Sequence, residues 1–375
     1  GNILIIIQAA RCRLQDAKDM APLSCPNAVR RGETFFARLC LLSAHETATV
    51  ETHGAFEQLE RCGSRFFFKA LKTGGPFSIE IASDGKIASF AIEEVLPAAD
   101  DNIALGIDCD DYRQDDSGEV DSFIEWALDS GIGSLVMFRP KSGRNFPPAR
   151  PPSKETWLKR SAFCRENKMQ FQASSDIENS KALSENGGPF FMGTQIHEPY
   201  LVMQPLCKDC KEYSKLSDMN AARAMYLESL NKRIEEARLP GCKVHVGVPD
   251  ILSCALLAET KADSILCEPV SNMPLLFGAA RATGKELGAH IPLDWYSGYP
   301  HDQAALRRVS LTLHQAYSYG CKTIYPESSL FKTNASERND REDSFCREAR
   351  TRMRRFRDFA LRNPRLPFAS RPPLA

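Results

Sequence analysis

The sequence predicts an α/β chain in which a small antiparallel, sandwich-like β domain precedes a (β/α)₈ barrel. Three observations carry that reading. From Ile103 onward, eight apolar strand-length runs, each followed by a helical segment, fill about 260 residues, the count of a closed eight-stranded barrel. No glycine-rich dinucleotide fingerprint follows the first run, as an open nucleotide-binding sheet would require. Ahead of the eight units, FSIEIASDGKIASFAIEEV sets an Asp-Gly pair between two alternating runs, which is a hairpin signature.

In chain order, residues 1–32 carry no assigned element, and residues 33–98 form the β domain, with TATVETHG and SRFFFKAL as further strands beside the hairpin. The linker LPAADDN opens the barrel, expected over 99–367, with a tail at 368–375. The first strand, IALGID, leads into the helix EVDSFIEWALDSG, and the second, SLVMF, into KETWLKRSAFCREN. MQFQASS precedes a short helix, KALSEN, and FFMGTQI precedes the longest, MNAARAMYLESLNKRIEEARL. KVHVGV is followed by ILSCALLAET, SILC by PLLFGAARATGKEL, AHIPL by DQAALRRVSLTLHQAYSYG, and KTIYP by EDSFCREARTRMRRFRDFALR.

Composition narrows the setting. With 375 residues, 43% of them hydrophobic, the chain can bury a sizeable core. Lys plus Arg and Asp plus Glu both number 48, so neither nucleic acid nor an anionic membrane is expected as a partner. The basic run RTRMRRFRDFALR reads as a solvated helix face. Thirteen cysteines without framework spacing, among them Cys109, Cys254 and Cys267 inside apolar runs, read as reduced, packed thiols in a cytoplasmic protein. Cys207 and Cys210 form a CxxC pair, but no second pair or histidine follows at ligand spacing, so it is not read as a zinc site. GNILIII is too short to span a bilayer.

In such a barrel the residue just past each strand is the informative one, because the active site forms at the C-terminal strand ends. After the even strands stand Arg139, Glu198, Glu268 and Glu327; after the odd strands stand Asp108 and Asp110, Asp176, Asp250 and Asp294. Asp250 and Asp176 read as helix caps. Glutamate is a poor cap, and both Glu198 and Glu268 are followed by proline rather than by a helix start. Several buried carboxylates side by side are costly without a use, so Glu198, Glu268 and Glu327 are the candidate catalytic residues.

Aromatic residues interleave with these acids on the same predicted face: Tyr112, Phe146, Tyr200, Trp295, Tyr296, Tyr299 and Phe331. A cup of carboxylates rimmed by rings suits a sugar, with Asp108, Asp110, Arg139, His197, Asp294, His301, Lys332 and Asn334 as polar contacts. The chemistry that fits is glycoside hydrolysis, in which one carboxylic acid protonates the leaving oxygen while a second carboxylate attacks or activates water. Glu198 is the expected acid/base, and its partner is Glu268, Glu327 or Asp294. No organic cofactor and no required metal are expected.

With these residues in place, the region from Ile103 to Arg365 resembles barrel glycoside hydrolases. Its fourth strand ends H-E-P, similar to the N-E-P ending of clan A members, whose glutamate is the acid/base; the resemblance implies that role for Glu198. The clan places a glutamate nucleophile after the seventh strand, where this chain has Asp294 in PLDWY. Barrel hydrolases of the α-galactosidase type pair strands four and six, which selects Glu198 and Glu268, though they carry aspartate at the first position. Two other readings compete. A divalent-metal lyase or isomerase needs a lysine or histidine beside the acids, and the histidine of VHV, His245, sits mid-strand where a packed role is expected. A barrel that binds glycans without cleaving them needs no second carboxylate.

Overall fold

The computed structural model describes residues 22–24, 26–39, 47–83, 86–99, 101–109, 118–138, 152–175, 180–197, 199, 218–269, 272–292, 303–327 and 344–365. Within them the eight expected units close into a parallel barrel. Its strands are β1 (Ala104–Asp108), β2 (Leu135–Phe138), β3 (Gln170–Ser174), β4 (Phe191–Ile196), β5 (Lys243–Val248), β6 (Ser264–Cys267), β7 (Glu286–Pro292) and β8 (Thr323–Glu327). Each pairs with the next, and β8 returns to β1 through Ala104↔Thr323 and Leu105↔Ile324.

The helices between them are α1 (Glu119–Ser130), α2 (Lys154–Glu166), α3 (Ser180–Gly187), α4 (Met219–Ala237), α5 (Ile251–Leu257), α6 (Met273–Ala282), α7 (Gln303–Ser318) and α8 (Ser344–Arg362). Short polar side chains set several of their starts: Ser153, Asp218, Asp250 and Asn272 each accept a backbone N–H from the first turn. Asp250 is thus the cap its sequence position predicts. One boundary moves. GKEL, expected to finish the sixth helix, instead follows its end, because Gly284 takes φ +72° and β7 begins at Glu286.

The β domain has two principal sheets. One orders Pro22–Ser24, Thr34–Leu39, Arg65–Ala70 and Phe56–Cys62; the other orders Thr49–Glu51, Phe77–Ser83 and Lys86–Ile92. The last two strands are the predicted hairpin, in register from Phe77↔Ile92 to Ser83↔Lys86. Phe35, Phe66 and Phe68 of the first sheet share one core with Ile79, Ile81 and Phe90 of the second, the packing of a sandwich. Alternate residues of the first sheet, Phe36 and Phe67, point the other way and join the core that surrounds the barrel.

The basic run in α8 departs from expectation. It is not simply a solvated face: Arg350 and Arg357 are 5% exposed, with Arg350 over the Trp126 ring at 4.9 Å. Long arginine stems are burying apolar surface between α8 and its neighbours. Arg30, in a strand (Ala28–Arg30) within the segment that the sequence leaves unassigned ahead of residue 33, donates to the terminal carbonyls of that helix, reaching Leu361 O at 2.6 Å and Ala360 O at 3.1 Å.

The described cysteines Cys62, Cys109, Cys164, Cys242, Cys254, Cys267 and Cys321 are all free thiols. Among the described residues no helix is long and apolar enough to cross a membrane.

Candidate functional site

Barrel interiors are normally filled by bulky branched residues. Here an apolar floor of Ala104, Leu135, Met137, Leu266 and Tyr325 is overlaid by a polar layer. Asp108, Gln172, Gln195, Glu268 and His290 are all buried, each at most 1% exposed. Taking that many polar groups out of water is unfavourable unless they serve one another or a ligand.

Glu268, the residue after β6, sits at the centre of this layer. Its Oε1 lies 3.3 Å from His197 Nδ1 and 3.5 Å from His290 Nδ1. The opposite ring nitrogen of His290, Nε2, lies 3.0 Å from Asp108 Oδ2 at the end of β1. An ionised aspartate only accepts, so Nε2 carries a proton and donates to it, which turns the Nδ1 side of the ring toward Glu268. The His290 ring packs against Tyr325 at 4.9 Å and against the His197 ring at 5.3 Å, edge to face. Tyr325 donates to Gln195 Oε1 at 3.1 Å.

Two glycines make this arrangement possible. A Cβ on Gly247, in β5, would stand 2.6 Å from Glu268 Oε1, so the bare backbone clears the space the carboxylate occupies. Gly193, at φ +125°, forms a bulge at which Phe171↔Phe191 is followed by Gln172↔Gly193. Strict alternation would put Met192 and Gln195 on opposite faces of β4. The extra residue resets the count, so Met192 packs on the apolar floor while Gln195 also turns inward and His197 arrives over Glu268. A side chain at Gly193 would meet Lys243 O at 2.1 Å.

Of the sequence-predicted residues, the structure brings together Asp108, His197 and Glu268. Glu327 closes β8 two residues after Tyr325. Glu198, Asp110, Tyr112, Arg139, Tyr200, Asp294, Trp295, Tyr296 and His301 lie outside the described residues, as do Phe146, Asp176, Tyr299, Phe331, Lys332, Asn334 and the CxxC pair. His245 is the packed histidine expected, between Ser264 Oγ at 2.9 Å and Met192 O at 3.0 Å.

Sequence reasoning passed over His290, which lies inside the run AHIPL rather than past it, and with it Gln172, Gln195 and Tyr325. The signal was a polar residue on the inward register of an otherwise apolar strand. His197, Glu268 and His290 each offer one ligand atom, and the three atoms lie within 4.8 Å of one another, so this is also where the described residues could hold a metal.

No protein-family model matches the chain, and no curated protein matches it. Some solved structures resemble it distantly. A candidate alpha-galactosidase/melibiase from Bacteroides fragilis has 8% identity and a TM-score of 0.43, covering 95% of this chain and 79% of that one. A family 123 glycoside hydrolase from Clostridium perfringens has 9% identity and a TM-score of 0.39, covering 87% and 82%. A xylose isomerase-like TIM barrel protein from Mycobacterium smegmatis in complex with magnesium has 12% identity and a TM-score of 0.39, covering 70% and 98%. Likenesses this distant assign neither family nor chemistry.

Proposed function

We propose that the chain is a glycoside hydrolase that cleaves a carbohydrate at the C-terminal mouth of its barrel. The observation that supports this most is Glu268, a fully buried carboxylate at a strand end, flanked by two histidines. Its place at the mouth is where this fold carries out chemistry. Glu198, which follows His197 directly in the chain, is the acid/base, and Glu268 or Glu327 works opposite it by the two-carboxylate mechanism.

The test is hydrolysis of aryl α- and β-glycosides and natural oligosaccharides by the wild type and by Glu198→Gln, Glu268→Gln and Glu327→Gln. Glu198→Gln is expected to lose about 10²- to 10⁴-fold on unactivated substrates, whose leaving groups need a proton. Full activity in that variant would remove Glu198 from the mechanism, and turnover of no glycoside by the wild type would remove the hydrolase. A metal-dependent lyase or isomerase is the second reading. It needs a histidine beside the acids, a condition that His197 and His290 meet. Its product would be an unsaturated or isomerised sugar in place of a new reducing end.

A further inference from the structure

We propose that His197, Glu268 and His290 form a binding site for one divalent transition-metal ion of the zinc class. The inference rests on the hydrolase reading only for the role of the ion, and it sharpens that reading: with Glu268 as a ligand, the reacting pair becomes Glu198 and Glu327.

Three features of the geometry carry it. Two imidazoles and one carboxylate converge from three strand ends, and all three ligand atoms lie within 4.8 Å of one another. In a tetrahedral site with bonds of about 2.0 to 2.1 Å, neighbouring ligand atoms stand roughly 3.3 Å apart. The two contacts of Glu268 Oε1 are 3.3 Å to His197 and 3.5 Å to His290.

The second feature is Asp108. Because His290 donates through Nε2 to Asp108 at 3.0 Å, its Nδ1 presents a lone pair toward the Glu268 carboxylate. Two electron-rich atoms facing each other at that separation are favoured only with a cation between them, a proton on the ring or on the carboxyl, or a metal. A carboxylate behind a ligating histidine is the usual outer support of a metal site, fixing the tautomer and raising the basicity of the ligand nitrogen.

The third feature is the ligand type. Two imidazoles among three donors suit zinc and its transition-metal neighbours, whereas calcium and magnesium are held by oxygens. His197 is the one partly open member, with 22% of its side chain exposed, while Glu268 and His290 are closed. The open position of the ion therefore faces the mouth, as it does in catalytic zinc sites, and would take a substrate hydroxyl or a water.

The test is calorimetric titration of the EDTA-stripped full chain with zinc chloride alone. Cys207→Ser and Cys210→Ser are introduced throughout so that the CxxC pair does not contribute, and bound metal is confirmed by elemental analysis. One equivalent is expected. Glu268→Gln and His197→Ala should abolish uptake while keeping the circular dichroism of the parent, and His197→Ala at the open edge covers the case in which the buried variant does not fold. Asp108→Asn should keep one equivalent with affinity about 10- to 100-fold weaker, the size of an outer-support effect. No uptake by the parent, or uptake unchanged in both ligand variants, overturns the site. Glycoside hydrolysis that persists in a stripped chain unable to take zinc would discard the metal and leave the hydrolase standing. Uptake lost in the ligand variants, with no glycoside cleaved, would keep the metal and discard the hydrolase.

Discussion

The barrel has a carboxylate cluster at each end, part-buried at the foot and buried at the mouth, and the two are built differently. At the foot, Asp101 accepts from Arg365 Nη2 and backbone N at 2.6 Å each and from Tyr317 Oη at 2.7 Å. Arg365 also donates to Tyr317 O and Cys321 O, tying the linker, α7 and the chain beyond α8 together. Burial opposes ionisation of Asp101, but the Arg365 and Tyr317 hydrogen bonds outweigh it and hold the carboxyl well below the usual range. At the mouth, Asp108 and Glu268 are more deeply buried, and the groups beside them are imidazoles, which can change protonation or bind a metal. One end is saturated with fixed donors, and the other carries groups whose protonation can change. Residues at the foot of such barrels serve stability and those at the mouth serve chemistry.

The sharpest way to break this contrast is at the foot. Arg365→Ala is expected to cost about 1–3 kcal/mol in urea unfolding, because it leaves a part-buried carboxylate with only Tyr317 and Lys322 beside it among the described residues. Catalysis at a temperature where the variant stays folded should be close to wild type. The same cluster sets acid sensitivity. Asp101 has a folded pKa below its unfolded value of about 3.9, so its contribution is complete above that pH and is lost as pH falls below it. Unfolding midpoints measured from pH 5 downward should therefore lose less in Asp101→Asn than in the wild type.

At the mouth the signs reverse. Glu268→Gln should lower kcat/KM by roughly 10³-fold while leaving the urea midpoint unchanged or raised, since it removes a buried charge. An unfolding free energy that fell by several kcal/mol would make Glu268 structural. Gly247→Ala is subtler. Its Cβ would press on Glu268 Oε1 from 2.6 Å, and a displacement near 1 Å is expected to cost about 10²-fold in rate with little change in stability.

The smallest effect lies away from both clusters, where burial pushes Glu33 up to about 7 against the opposing pull of Arg30 and Arg357. A carboxyl raised in this way binds its proton more tightly when folded. Stability should fall as pH rises from about 4.3 to 7, by at most about 1.4 kcal/mol per unit, and less because Glu33 retains some solvent contact. Glu33→Gln should flatten that slope.

The eight units were legible because each apolar run is short, uninterrupted and followed by a helical period. KVHVGV and SILC match β5 and β6 residue for residue. The site was legible only where it stands past a run, as Glu268 and His197 do. His245 and His290 read alike in sequence, each a lone histidine between apolar neighbours, yet one is fixed to a backbone carbonyl low in the barrel and the other meets Glu268 near its top. What separates them is height along the strand and what the neighbouring strands place opposite, and neither is a local property. The reset at Gly193 is equally hidden, since a glycine in a strand announces a bulge but not which later residues it redirects.

The two central strands of the first sheet bury both faces, with Phe35, Phe66 and Phe68 on one side and Phe36 and Phe67 on the other, while its Phe56–Cys62 strand stays largely exposed. Arg65 adds polar ties across the seam, to Asn167 at 3.2 Å and Glu125 at 3.2 Å. The sheet is the middle of a three-layer stack, and its consecutive phenylalanines are the trace of that double duty. A barrel cut free at residue 99 would carry an exposed apolar scar where Phe36 and Phe67 had been. The two parts therefore share a core, and a successful exchange of the front domain between barrels would have to bring the outward-facing rings along with it.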